Sequence, residues 1–182
     1  MGVARVLLII IGAVLSILGT YVFSLYGFLG YGASGVGFIM NAFVGNVPPY
    51  MMPSLISDPT FWATTIGMDV WLYWILLILF IIFLAAGALQ LVGLKSRVVG
   101  VIFSLFPLAV GLMFILVFFT EILGPISGSF AALFLGEQIG GFLPYLVDLG
   151  AFMPAYSGVG IGSFFLVGGG FIGFVGSILP KD

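Results

Sequence analysis

The chain has 182 residues, of which 63% are hydrophobic and 5% charged, with four Lys/Arg against six Asp/Glu. A soluble domain carries roughly a quarter charged residues, so this chain cannot cover a water-facing surface, and its mean hydropathy of +1.40 assigns most of it to lipid. The net charge of −2 excludes a phosphate-neutralising nucleic-acid binder, and the absence of Cys and His excludes disulfides, thiolate or imidazole metal sites and Ser–His or Cys–His nucleophiles.

The first predicted element is an apolar run over about 3–26, opened by Met1-Gly2-Val3-Ala4-Arg5. It exceeds the roughly 7–15 apolar residues of a signal peptide, so it reads as an uncleaved first span. Val6 stands where an N-myristoylation signal needs Ser or Thr. Crossing roughly 30 Å of hydrocarbon takes about 20 apolar residues, and three more runs meet that length, over about 70–94, 98–120 and 156–179. The last is rich in Gly but uncharged, a composition that lipid tolerates because the backbone has no other hydrogen-bond partner there.

Between the first two spans, about 27–69 carries turn chemistry: Gly30-Tyr31-Gly32, Asn46-Val47-Pro48-Pro49 and Asp58-Pro59. Between the last two, about 121–155 carries Gly124-Pro125, Gly140-Gly141, Pro144 and Pro154. Both stretches are too apolar for ordinary loops, and short interfacial or re-entrant helices are expected, for example over 130–135 and 142–147. A fifth span in the second stretch would put Glu137 and Gln138 near mid-membrane, which costs a few kcal/mol for the charge. Four spans are therefore preferred.

With four spans the charges sort by side. Arg5, Lys95, Arg97 and Lys181 share one side, joined only by Asp182, while Asp58, Asp69, Glu121, Glu137 and Asp148 share the other. The positive-inside rule then puts both termini in the cytoplasm and both long loops outside. A prokaryotic plasma membrane is expected, since no Asn-x-Ser/Thr sequon or eukaryotic sorting signal is present. The expected fold is an all-α integral membrane protein, a single domain over 1–182 built as a compact bundle of four transmembrane helices. In outline this topology resembles claudins and tetraspanins. Without Cys the chain holds neither the paired Cys of the first family nor the Cys-Cys-Gly of the second. The resemblance covers topology alone and implies a surface contact protein as one functional reading.

Small residues fall on helical stripes. At 100° per residue, Gly158, Gly162, Gly169, Gly173 and Gly176 lie within roughly a 60° arc of span four. Gly12, Ser16 and Gly19 do the same in span one, and Gly100, Ser104, Pro107 and Gly111 in span three. Small faces let helix backbones approach closely in lipid, so these residues are expected to pack the bundle, with Pro107 kinking span three.

Candidates for chemistry are few. Gln90 is the deepest strongly polar side chain, and no ionisable residue is expected deep in a span. That argues against proton relays, pumps and voltage sensors, and the chain is expected to be neither an enzyme nor a cofactor carrier. Asp69 and Glu121 end the hairpin of spans two and three at the same surface and form a weak candidate cation site. The plainer reading makes Asp69 an N-cap and leaves Glu121 at the water boundary. Trp62, Trp71, Tyr73 and Trp74 are expected in the aromatic belt. The loop residues Phe38, Ile39, Met40, Phe130, Leu133 and Phe134 would expose an apolar patch, and such patches mark partner contacts. The leading functional expectation is a structural or accessory subunit of a larger membrane assembly, its partners being lipids and other subunits or copies of itself. A homo-oligomeric channel or carrier, with its pore between subunits, is the alternative.

Overall fold

The computed structural model describes residues 2–28, 31–45, 52–120, 133–134 and 157–180. Helix α1 runs over Val3–Ile17 and continues as a π-helical turn over Leu18–Val22. The Thr20 hydroxyl donates to the Ser16 carbonyl at 2.7 Å, and the Phe23 amide reaches back five residues to the Leu18 carbonyl at 3.0 Å. Hydroxyl competition of this kind loosens the regular helical ladder.

The chain then forms strand β1 (Tyr26–Phe28), which pairs antiparallel with β2 (Tyr31–Ala33) on one edge and β3 (Ser157–Val159) on the other. Gly27 lies opposite Gly32 and Gly158. This small sheet corrects the all-α expectation, and it moves Gly158 off the helical stripe of span four into β3.

Two short helices follow. In α2 (Gly35–Phe43) the Ser34 hydroxyl accepts the Gly37 amide at 3.2 Å. In α3 (Pro59–Ile66) the Asp58 carboxylate accepts the Phe61 amide at 2.9 Å, Pro59 opens the first turn, and Gly67 at φ 78° closes the last. Helix α4 (Val70–Leu89) tightens into a 3-10 turn over Gln90–Leu94. Ser96 then caps α5 (Arg97–Phe119), which runs on through Pro107. After β3 comes α6 (Ile161–Ile178).

Four of these segments are long and apolar enough to cross a membrane: Val3–Val22, Val70–Leu94, Arg97–Val117 and Ile161–Ile178, of 18 to 25 residues. At 1.5 Å per residue they measure about 27–38 Å, matching a hydrocarbon core of about 30 Å. Their outward faces carry Leu7, Ile10, Val14, Ile78, Ile81, Ile102, Leu105, Phe164 and Phe171. Helix α6 packs along both α1 and α5, and α4 closes the bundle against α1 and α5. Arg5, Lys95 and Arg97 lie at one end, here the basic end, and Asp58 and Asp69 at the other.

An aromatic core caps the acidic end. The Phe134 ring stands 4.9 Å from Phe38, 4.8 Å from Phe80 and 5.1 Å from Phe114. The backbone there is tied to α2: the Ser34 amide donates to the Phe134 carbonyl at 3.2 Å, and the Asn41 side chain to the Leu133 carbonyl at 3.0 Å. The expected outward patch is corrected accordingly. Phe38, Leu133 and Phe134 are buried at 0%, 2% and 0% exposure, and Ile39 and Met40 are half-buried. Burying these rings in the chain's own core removes their apolar area from solvent without a partner. Phe130, most of 130–135, all of 142–147 and the alternative fifth span lie outside the described residues.

The aromatic belt divides in the same way. Trp62 and Tyr73 are buried, Trp62 donating from Nε1 to the Pro53 carbonyl at 2.9 Å and Tyr73 from its hydroxyl to the Leu55 carbonyl at 2.8 Å. Trp71 and Trp74 remain exposed on α4.

Candidate functional site

The centre of the bundle is built by glycines. A Cβ at Gly12 would come within 2.6 Å of the Gly173 amide nitrogen, and one at Gly169 within 2.7 Å of the Ser16 nitrogen. At Gly19 it would meet the Gly162 carbonyl at 2.7 Å, at Gly111 the Ser163 carbonyl at 2.7 Å, and at Gly170 the Leu108 nitrogen at 2.6 Å. Gly176 faces the Leu8 side chain and the Ile9 nitrogen, and Gly100 faces Gly93 and the Ser177 hydroxyl. At Gly12, Gly19, Gly111, Gly169 and Gly170 backbone meets backbone, so α6 is wedged between α1 and α5 with no room for a side chain at those five positions.

Within this wedge lie the buried polar side chains of the described residues: Arg5, Ser16, Thr20, Ser24, Gln90, Ser104, Ser163 and Ser177. Several hydroxyls are satisfied by carbonyls. Ser104 donates to Gly100 at 2.7 Å, Ser177 to Gly173 at 2.8 Å, and Ser163 to Leu25 at 2.7 Å. The last bond fixes the start of α6 to the chain just before β1. Bonds of this kind fill a helix interface without creating reactivity.

Two members are different. The Gln90 amide donates from Nε2 to the Ser16 hydroxyl at 3.0 Å, but its Oε1 is buried without a partner among the described residues. That oxygen and the Ser104 hydroxyl both approach Gly173, at 3.0 Å and 2.9 Å from where a Cβ would stand. Arg5 is 1% exposed and donates from Nη2 to the Gly93 carbonyl at 2.6 Å, while its Nε and Nη1 are buried and unpartnered among the described residues. The side chain turns into the bundle instead of reaching out to water.

Charge sorting places Arg5 by its side of the membrane alone and misses this role. Its helical phase carries the signal: at 100° per residue it lies within about 20° of both Gly12 and Ser16, on the face of α1 that meets α6. Gln90 is legible as the deepest polar side chain, and Ser16 and Ser104 as small residues on packing stripes. Ser163 and Ser177 fall beside the glycine stripe of α6 with nothing in their spacing to single them out. Pro107 and Gly111 are buried on the α5 face that carries Gly100 and Ser104.

The candidate cation pair is not assembled within the described residues. Asp69 is exposed at the start of α4, its backbone carbonyl accepts the Tyr73 amide at 3.0 Å, and its carboxylate makes no capping bond. Glu121 lies outside the described residues. Among the described residues no three His, Cys, Asp or Glu side chains come together to hold a metal. The arrangement offers hydroxyls, one amide and one guanidinium, which can bind and orient but supply neither an activated nucleophile nor a general base. Compared with known proteins, the chain matches no family model, no curated protein and no solved structure.

Proposed function

We propose that the chain is a structural or accessory integral subunit of a larger membrane assembly, lying in a plasma membrane with its basic end and both termini on the cytoplasmic side. The closed interior carries this reading. The approach of Gly12, Gly19, Gly111 and Gly170 to facing backbone leaves no lumen between α1, α5 and α6 among the described residues, and the buried hydroxyls of Thr20, Ser104, Ser163 and Ser177 are spent on carbonyls. A chain of this build acts through its surface. The outward faces of its four long helices, including Trp71 and Trp74 on α4 and Phe164 and Phe171 on α6, meet lipid or the helices of partners. The orientation rests on the separation of Arg5, Lys95 and Arg97 from Asp58 and Asp69.

Mass determination of the complex extracted in a mild detergent tests the proposal. A particle containing this chain with other polypeptides is the expected result, and a lone monomer overturns it. A symmetric homo-oligomer would favour the channel or carrier reading, for which the run of buried polar side chains from Arg5 to Ser24 is the supporting observation.

A further inference from the structure

We propose that Arg5 is the anchor of an anion site that takes a phosphate group at the membrane surface of the basic end. The proposal does not depend on whether the chain is a subunit, a carrier or a contact protein.

Arg5 carries a charge with no counter-charge among the described residues. A guanidinium is always ionised and carries five N–H donors. Here Nη2 donates to the Gly93 carbonyl at 2.6 Å, and Nε and Nη1 have no partner among the described residues although Arg5 is 1% exposed. A charge withdrawn into a helix bundle is held by an opposite charge or by a full set of hydrogen bonds. Arg5 has neither among the described residues, whose carboxylates, Asp58 and Asp69, stand at the opposite end of the bundle. A simple topological arginine would extend its stem toward water, whereas this one is folded inward and fixed by Gly93.

The free donors also define the ligand. Nη2 shares one edge of the guanidinium with Nε and the other with Nη1, so with one of its hydrogens donated to Gly93 a tetrahedral oxyanion can be gripped along the remaining edge, the geometry that favours Arg over Lys for phosphate. The surroundings are cationic. Lys95 and Arg97 follow Gly93 in the same short turn, both exposed. They raise the local concentration of anions at the basic end, where the charged headgroups of a bilayer also lie. The shared chemistry is a phosphate oxyanion, and its source is either a lipid headgroup or free phosphate.

The test uses the full chain in a neutral detergent, titrated separately with phosphatidylglycerol, with inorganic phosphate and with diacylglycerol as the phosphate-free control, reading the thermal unfolding midpoint and the lipid retained in native mass spectra. Stabilisation by phosphatidylglycerol but not by inorganic phosphate assigns a lipid headgroup, and stabilisation by both assigns the phosphate group itself. Equal effects of phosphatidylglycerol and diacylglycerol, or no effect of any probe, overturn the proposal on the unaltered protein, whatever the variants do. Arg5→Gln is expected to weaken binding roughly ten- to hundredfold, the loss of a charged hydrogen-bonding group. Arg5→Lys keeps the charge but loses the fork and is expected to fall between. Lys95→Gln and Arg97→Gln, exposed at the basic end, are expected to weaken binding less than Arg5→Gln. Unchanged binding in Arg5→Gln overturns the proposal.

Discussion

Gln90 and Ser16 are joined across 3.0 Å inside the bundle, the amide of one donating to the hydroxyl of the other, and the oxygen of that amide has no partner among the described residues. The bond ties the end of α4 to α1, but the unpartnered oxygen offsets part of its value. Ser16→Ala leaves both ends of a buried amide unsatisfied and is expected to cost about 1–2 kcal/mol. Gln90→Met removes donor and acceptor together at similar volume and is expected to be near neutral, because the Ser16 hydroxyl can turn to a carbonyl of its own helix. Unfolding titrations in mixed micelles compare the two. A larger loss for Gln90→Met would mean that Oε1 binds something in the native protein.

The glycines make a paired prediction. Gly12→Ala drives a Cβ to 2.6 Å from the Gly173 backbone, and overpacking of this kind costs about 1–3 kcal/mol. Gly168→Ala, in α6, places a Cβ where nothing lies within 4 Å and is expected to be neutral or to stabilise by up to about 1 kcal/mol through helix propensity. The same unfolding titration distinguishes them. Equal losses would show that glycine content alone, and not close approach, limits the bundle.

The spans are legible in the sequence because hydropathy is a local property summed over some 20 residues, and the second, 70–94, coincides with α4 and its 3-10 turn. The polar centre is half legible. Helical phase sets Gly12, Ser16, Gly100 and Ser104 apart as small residues on packing faces, but smallness does not reveal that Gln90 reaches Ser16 from another helix, since that depends on how two helices are set in register. The sheet is not legible: β1, β2 and β3 are three residues each, carry Gly27, Gly32 and Gly158, and are joined partly across most of the chain, so no alternation can form. Phe38 and Phe134 mislead for a related reason. An apolar loop reads as exposed until the other loop that covers it is known, and Phe134 comes from about a hundred residues downstream of Phe38.

That aromatic junction supplies the third prediction. Phe134 is 0% exposed and packs on Phe38, Phe80 and Phe114. Phe134→Ala is expected to cost about 3–5 kcal/mol, as buried ring truncations do, and to release the α2 segment to proteolysis, because the Ser34 and Asn41 bonds to residues 133–134 hold that segment against the core. Phe43→Ala, at 67% exposure, is expected to change stability by less than about 0.5 kcal/mol. Limited proteolysis followed by mass mapping reads both effects.

The membrane placement itself can be tested at one side chain. Ile81 lies near the middle of the 25-residue segment Val70–Leu94 and is 42% exposed on the outward face of α4. On a water-facing helix, Ile81→Lys would be harmless and would improve solubility. At the centre of a bilayer the same ammonium costs about 2.5–3.5 kcal/mol by insertion scales, and Lys cannot snorkel out from mid-span as it can near a helix end. Insertion of the α4 segment in a translocon assay is therefore expected to fall sharply for Ile81→Lys and to be unchanged for Ile81→Leu. Leu91→Lys, an exposed position near the basic end of the same segment, is expected to insert nearly as well as the unaltered segment, because its charge reaches the headgroups. Equal insertion of Ile81→Lys and Leu91→Lys would remove the outward face of α4 from the hydrocarbon core.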